Sequence, residues 1–310
     1  MPAKKQFQFV SIGEILIDFI SKEPSKPLAA SASFGKFFGG APANVAVNMK
    51  RLGIESTIVS KVGNDGLGTF LIDFLNTLGL DTSYIQRDKT LPTSMVVVTS
   101  QKTPPEFIAY READTQIRPH HIPDDLIAQC EVVHTTAHAI ARTPTRTSVL
   151  EAFKRAYAAG KETSFDPNYS DSFWPDREEA LDVIAQFLRH TRFCKPSIDD
   201  CERIFGTKSI DDYLDLFHEW GVDHVMLTLG DKGALLSTRA GTRTSYPAER
   251  IKELVDPTGA GDAFIAGFFA TYLTTGDLDR AMKVGNKTAA FSMGYLGAIA
   301  PLPSIETFFS

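Results

Sequence analysis

Asp256-Pro257-Thr258-Gly259-Ala260-Gly261-Asp262 sets two glycines and an alanine between two carboxylates, directly ahead of apolar residues at helical spacing: Phe264, Ile265, Phe268, Phe269 and Tyr272. Small residues let a backbone approach a ligand closely. The helix start that follows presents free N–H groups and a partial positive charge. The stretch therefore reads as an anion cradle, with phosphate as its usual occupant. A carboxylate at such a mouth repels a resting phosphate, so Asp262 points to a base set beside a phosphoryl group in transit. The same residues also read as a turn with Asp262 as helix N-cap. The segment alone leaves both readings open.

Outward from this segment, strand and helix patterns alternate. Phe7 to Ile12 reads as a buried strand and Ile15 to Ile20 as a second apolar run. Pro42 to Leu52 reads as a helix, with proline in the first turn and Gly53 as the stop. Ile58 to Val62 is a strand, Phe70 to Leu78 a helix closed by Gly79, and Ser94 to Thr99 a strand with Glu106 to Tyr110 as its hairpin partner. Strands at 132–134, 163–166, 224–229 and 234–237 then alternate with helices at 144–159, 177–190 and 210–220. Two more helices, 263–274 and 278–293, follow. Such alternation implies an α/β fold, a mostly parallel sheet with helices on both faces. Two β-rich pieces, 13–38 and 92–118, interrupt the alternation and are expected to pair as a small lid.

Composition narrows the function classes. With 310 residues, the chain has the length of one large α/β domain or two smaller ones. It is 43% hydrophobic and 23% charged, an ordinary balance for a soluble protein. A net charge of -6, with no basic tract longer than a pair such as Lys4-Lys5, argues against a nucleic-acid groove. No apolar run approaches the ~20 residues that span a membrane, and the N-terminus lacks a signal-peptide apolar segment. Three cysteines, Cys130, Cys194 and Cys201, have no paired spacing and read as incidental thiols of a reducing cytoplasm. The seven histidines show no metal-ligand spacing.

Phe37-Phe38-Gly39-Gly40-Ala41-Pro42-Ala43-Asn44 is a second glycine pair opening a helix. It is neither a dinucleotide fingerprint nor a Walker A loop. Taken together, the two loops resemble those of the ribokinase-like (PfkB-type) sugar kinases, the family that includes the fructokinases. Gly39 to Ala46 with Gly53 and Gly63 is similar to the N-terminal signature, and Asp256 to Asp262 to the C-terminal one. Gly13-Glu14-Ile15-Leu16-Ile17-Asp18, Asp166-Pro167-Asn168 and Thr228-Leu229-Gly230-Asp231-Lys232-Gly233 fall in the family's order. The resemblance covers essentially the whole chain. It implies a single domain, 1–310, with the ribokinase-like three-layer fold, a central mostly parallel sheet and the small β lid. Two departures stand out. Proline follows Asp256 where threonine is common, and the Asn-x-x-Glu motif that organises magnesium and phosphate in many members is Ser197-Ile198-Asp199-Asp200 here.

The resemblance also implies roles. Asp262 becomes the general base, with Gly259, Ala260 and Gly261 donating N–H groups to the transferring phosphoryl group. Asp18, Gly39, Gly40, Asn44, Arg111 and Asn168 would meet the sugar. A carboxylate such as Asp18 inside an apolar run is costly to bury unpaired, and a sugar diol satisfies it. An exposed edge position, a surface ion pair for Arg111 and turn chemistry for Asn168 are the plainer readings. Lys195, Thr228, Gly230, Gly233 and Asn286 would lie along ATP, with tight turns or a solvated lysine as the alternatives. Mg2+ would accompany the nucleotide near Asp200. Asp256, Thr258 and the Gly297-Ala298 region resemble a K+ loop, although no protein ligand set is fixed by the sequence. The implied activity is ATP-dependent phosphorylation of fructose at a primary hydroxyl. The rival acceptors are 2-keto-3-deoxygluconate, with Arg111 on its carboxylate, or another sugar or nucleoside. A non-catalytic sugar-binding regulator is the rival from another class. No nucleic-acid or membrane partner is implied, and a homodimer through the lid is.

Overall fold

The computed structural model describes residues 7–100, 106–251 and 253–309. In chain order they form β1 (Phe9–Ile12), β2 (Leu16–Ser21), β3 (Phe34–Gly39), α1 (Ala41–Arg51), β4 (Ser56–Gly63), α2 (Gly66–Thr77), β5 (Ile85–Asp88), β6 (Met95–Val98) and β7 (Phe107–Tyr110). There follow α3 (Asp124–Gln129), β8 (Val132–Thr136), α4 (Thr145–Ala158), β9 (Glu162–Asp166), α5 (Arg177–Leu188), β10 (Phe193–Cys194), α6 (Ile198–Phe205) and α7 (Ile210–Glu219). The last elements are β11 (His224–Thr228), β12 (Ala234–Thr238), β13 (Arg243–Tyr246), α8 (Ala260–Thr275) and α9 (Leu278–Ser292). The N-terminal residues 1–6, with Lys4-Lys5, and the lid residues 101–105 lie outside the described residues.

A nine-stranded sheet runs in the order β13-β12-β11-β10-β9-β8-β1-β4-β5. From β5 to β11 every neighbour pair is parallel, and β12 and β13 close one edge antiparallel. Successive side chains on a strand face opposite ways, and both faces are covered. Val10, Val133, Phe165, Cys194 and Val225 pack into one core cluster, with Phe153 of α4, Phe187 of α5 and Phe217 of α7. Their neighbours Phe9, Val132, Phe193 and Met226 pack into another, with Val45 of α1, Phe264, Phe268 and Phe269 of α8, and Met282 of α9. This explains why the strands read as near-continuous apolar runs, and it confirms the mostly parallel three-layer architecture.

The two β-rich interruptions pair as expected into a separate sheet, β3-β2-β6-β7. It is mixed: β2 pairs antiparallel with β3 and parallel with β6, and β6 pairs antiparallel with β7. Alternation splits β2. Ile17 and the partly buried Phe19 join a third core cluster with Phe38 and with Leu71 and Leu75 of α2. Leu16, Asp18 and Ile20 instead line a cavity together with Val96 and Val98 of β6. One face of the lid is thus core and the other is a wall of the site.

Several short elements escape the sequence patterns. β5, β10, β13, α3 and α6 carry two to eight residues each. At two residues, β10 is too short to show any period. It is held as a strand by parallel pairing to β9 and β11.

Candidate active site

The strand order reverses between β1 and β8: β4 and β5 lie beyond β1 on one side, and β9, β10 and β11 follow β8 on the other. Open α/β sheets bind ligands outside the strands' carboxyl ends at such a switch point. A cavity of about 650 Å³ opens there. Its walls bring together Glu14 beyond β1, His138 beyond β8, Asn168 beyond β9, Asp18 of the lid, Asn44 of α1 and Asp262 of α8. Residues up to 248 apart in sequence meet there (262 minus 14), most of them at or just beyond the end of an element and Asp18 from within β2.

Asp262 is the third residue of α8, and Gly259 is its N-cap. The N-cap reading of Asp262 is therefore replaced. Gly259 has φ 77°, and a Cβ there would stand 2.6 Å from the Ala298 carbonyl, so the turn needs glycine on both counts. The Asp262 side chain is free to face the cavity. Asn44 of α1 donates its amide to Asp262 Oδ2 at 2.8 Å. Burial pushes the Asp262 carboxyl up to about 7, the Asn44 bond opposes that, and Asp166 adds to it. The N–H groups of the first turn, Gly261 among them, have no carbonyl one turn back within the helix. That of Ala260 bonds the Pro257 carbonyl at 3.2 Å.

Lys195 follows β10 and is 4% exposed, so the solvated-lysine reading fails. Its Nζ lies 3.2 Å from Asp166 Oδ2 and about 3.3 Å from the place a Cβ on Gly261 would take. Burial works against its charge, but Asp166, Asp200 and Asp262 outweigh that and raise its pKa. A fixed cation therefore stands at the mouth of α8. Asp166 itself is pushed up to about 6 by burial, with Lys195 opposing.

The lining of the cavity itself is acidic. Asp18 has no hydrogen-bond donor among the described residues, and burial raises its carboxyl to about 7. Gly39 makes room for it: a Cβ there would fall 2.2 Å from Asp18 Oδ2. Gly40 packs as tightly on the Glu14 carbonyl. Glu14 is 2% exposed, its Oε2 has no partner, and burial, partly offset by Arg111, lifts its carboxyl to about 7. Asn168 holds a left-handed φ of 31°, an uncommon state outside glycine that clusters at functional sites.

Arg111 stands apart from the cavity lining. Its Nε donates to Asp114 Oδ2 at 2.8 Å, its Nη2 pairs with the same oxygen, and its Nη1 donates to the His138 carbonyl at 3.1 Å. It is 5% exposed, so the surface ion-pair reading is replaced by a buried one.

The remaining expected residues occupy the β11 side and the loops. Thr228 ends β11, and its hydroxyl donates to the Pro196 carbonyl. Gly230 and Gly233 bracket the turn after it, Gly233 pressed against the Tyr246 carbonyl. Asn286 donates to the carbonyl oxygens of Tyr246 and Pro247, at 3.4 and 3.0 Å. Asp200 closes a capping box with Ser197 and accepts the Tyr169 N–H at 2.8 Å. Asp256 accepts the Thr258 and Gly297 N–H groups on its two oxygens. These two bonds hold the loop before α8 against the Gly297 turn. The described residues contain no cluster of three or more histidine, cysteine, aspartate or glutamate side chains fit for a metal ion.

Sequence reasoning singled out neither Glu14 nor His138 nor Phe173 as a site residue. His138 packs on Phe173 in a tilted arrangement with ring centroids 4.1 Å apart, and burial lowers its pKa to about 3, leaving a neutral imidazole on the wall. The available signal was position: Glu14 and His138 each lie two residues beyond the strand that borders the switch point.

A family model described as pfkB family carbohydrate kinase matches residues 6–305. The ATP-dependent 6-phosphofructokinase of Thermoanaerobacterium thermosaccharolyticum is 37% identical over 98% of this chain and 93% of that one. Among solved structures, the fructokinase of Halothermothrix orenii superposes with a TM-score of 0.81 at 35% identity, over 90% of this chain and 98% of its own. An uncharacterized sugar kinase of Pyrococcus horikoshii in complex with ATP superposes with a TM-score of 0.84 at 31% identity, over 96% of each chain.

Proposed function

The chain belongs to the pfkB family of carbohydrate kinases, and on that premise we propose that it phosphorylates a primary hydroxyl of a small uncharged sugar, converting fructose to fructose 6-phosphate. One observation carries the choice of acceptor. The described lining of the cavity holds Glu14, Asp18, Asp256 and Asp262 and contains no lysine or arginine. Carboxylates accept the hydroxyl hydrogens of a polyol and repel a carboxylate or a phosphate. That disfavours 2-keto-3-deoxygluconate, because the arginine expected to bind its acid group is taken up by Asp114. It equally disfavours a sugar phosphate, the acceptor named by the 37% identical relative.

In this reading Asp18, Asn44 and Asn168 hold the sugar, with Gly39 and Gly40 giving space. Asp262 orients the attacking hydroxyl. The new O–P bond forms as the β–γ bridge of ATP breaks, the hydroxyl proton passes to Asp262, and ADP leaves. The N–H groups of Gly259 and Gly261 and the Lys195 ammonium stabilise charge on the moving phosphoryl group, while that of Ala260 holds the turn through the Pro257 carbonyl. ATP lies toward β11 along Thr228, Gly230 and Gly233, with Asn286 fixing the 246–247 loop beside it. Mg2+ would enter with ATP, mostly on phosphate and water oxygens, with Asp200 on that side, and would neutralise phosphate charge. A K+ ion at the Asp256–Thr258 loop would be held by carbonyl oxygens. The lid closes to exclude water. The exposed Ile108 and Tyr110 of β7 make the lid edge a candidate homodimer contact. The three free, buried cysteines suit a cytoplasmic enzyme.

The test is ADP release from ATP on addition of fructose, with the product identified by phosphorus and carbon NMR. Fructose 6-phosphate is expected. Tight sugar binding without ADP release, on any sugar, would instead identify a regulator.

A further inference from the structure

Glu14 has no assigned role, yet its placement is that of a ligand-binding group. It follows β1 at the topological switch point and lines the cavity together with His138 beyond β8. Its side chain is almost completely buried at the cavity wall, and Oε2 has no hydrogen-bond partner among the described residues. Buried polar atoms are nearly always bonded, so an orphaned carboxylate oxygen at a cavity wall calls for a donor from the cavity's occupant. The protein could have neutralised the position with an apolar residue, but it places a guanidinium nearby. Arg111 favours the ionised form of Glu14 electrostatically, while its own N–H groups are spent on Asp114 and the His138 carbonyl. Asp114 in turn is tied to Ser94 at the root of β6, and Arg111 follows directly on β7. The cation is thus fixed where the lid strands leave the body of the protein.

We propose that Glu14 is a direct ligand of the acceptor sugar, accepting a hydrogen bond from a hydroxyl other than the one phosphorylated, and that with Asp18 it forms a pair of carboxylates selecting an uncharged polyol. The inference rests on the kinase reading above. The Asp262 carboxylate serves the reacting hydroxyl, and Asp18 reads the sugar from the lid. Glu14 reads it from the floor of the sheet. Two acceptor-only groups on different elements discriminate by geometry as well as by charge, since an anionic acceptor would leave both unpaired and opposed by like charge.

The test is steady-state kinetics of the full chain on fructose, its monodeoxy analogues and fructose 6-phosphate, for wild type, Glu14→Gln and Glu14→Leu. Loss of a charge-assisted hydrogen bond should raise the sugar KM by about 10- to 100-fold, more in Glu14→Leu than in Glu14→Gln, with kcat changed less than about fivefold. One monodeoxy analogue should cost wild type a similar factor and cost Glu14→Leu nothing further. A merely structural Glu14 cannot produce that coupling. Preference for fructose over fructose 6-phosphate should also fall by about tenfold or more in Glu14→Gln. An unchanged sugar KM in either variant, or no deoxy analogue coupled to Glu14 in the isosteric Glu14→Gln, overturns the assignment while leaving the kinase reading intact. Wild type that phosphorylates no uncharged sugar overturns both.

Discussion

The two sides of the switch-point site use charge in opposite ways: carboxylates line the cavity, and the cation, Lys195, stands outside that lining at the mouth of α8. At the α8 end a buried lysine is neutralised by Asp166 and set against the free N–H groups of a helix start, an arrangement that suits an anion. At the lid end Glu14 carries an unsatisfied carboxylate oxygen, and loss of solvent raises both the Glu14 and Asp18 carboxyls to about 7, an arrangement that suits hydrogen-bond donors without charge. Asp262 lies where the two meet, held by Asn44. On the proposed kinase reading, the difference divides the work: phosphoryl transfer would belong to the cationic side and sugar selection to the acidic one.

Breaking the junction should have the largest effect. Asp262→Ala is expected to lower kcat by roughly 10²–10⁴-fold or more while sugar binding, followed by calorimetry, changes little. Near-normal turnover would remove Asp262 as base. Next is the cationic end. Lys195→Met should lower kcat by about 10²–10³-fold, and it leaves Asp166 buried and unpaired, costing roughly 3–5 kcal/mol of stability. The double variant Asp166→Asn/Lys195→Met should recover the stability in urea titrations but not the rate, which separates the electrostatic role from the structural one.

The acidic end sharpens the comparison further. Asp18→Asn should raise the sugar KM by about 10- to 100-fold with a small change in kcat. It should also stabilise the ligand-free protein. The folded-state carboxyl is raised from 3.8 to about 7, so the folded state holds the proton more tightly than the unfolded chain. The resulting cost is absent below the unfolded pKa, grows as pH rises, and is complete above about 7. Asp18→Asn should therefore exceed wild type by on the order of 1–3 kcal/mol at pH 8, with the advantage shrinking toward pH 4. Thermal unfolding of both proteins across that range checks it, and a pH-independent difference would deny the buried charge. The smallest effect is expected from Gly39→Ala, whose Cβ must displace the Asp18 carboxylate. A several-fold rise in sugar KM, on the order of 1 kcal/mol, with ATP KM unchanged is the expected outcome.

Much of this was legible in the sequence. The Gly39–Asn44 and Asp256–Asp262 loops, each glycine-rich and each opening an apolar helix, announced the two signature elements, and α1 and α8 begin where those loops place them. The lid was visible as β-branched and aromatic segments interrupting the β/α alternation. Asp18 betrayed itself as a carboxylate in an apolar run. Three kinds of information were not legible. Gly259 as N-cap, leaving Asp262 free, depends on a left-handed turn that either glycine of the loop allowed. Arg111 could have faced a substrate, and only the folded chain shows Asp114 and the His138 carbonyl holding its guanidinium. Glu14 and His138 have no local signature, because their meaning comes from the reversal of strand order between β1 and β8, which no spacing along the chain encodes.

The central claim is that the acidic end selects an uncharged acceptor for the chemistry of the cationic end. The most direct measurement is the ratio of kcat/KM for fructose to those for fructose 6-phosphate and 2-keto-3-deoxygluconate, at saturating ATP and pH 8. The account predicts that fructose exceeds both anionic acceptors by about 10²-fold or more, as expected when a site leaves two buried carboxylates unpaired against the wrong substrate. A ratio near or below one for either anion would contradict it.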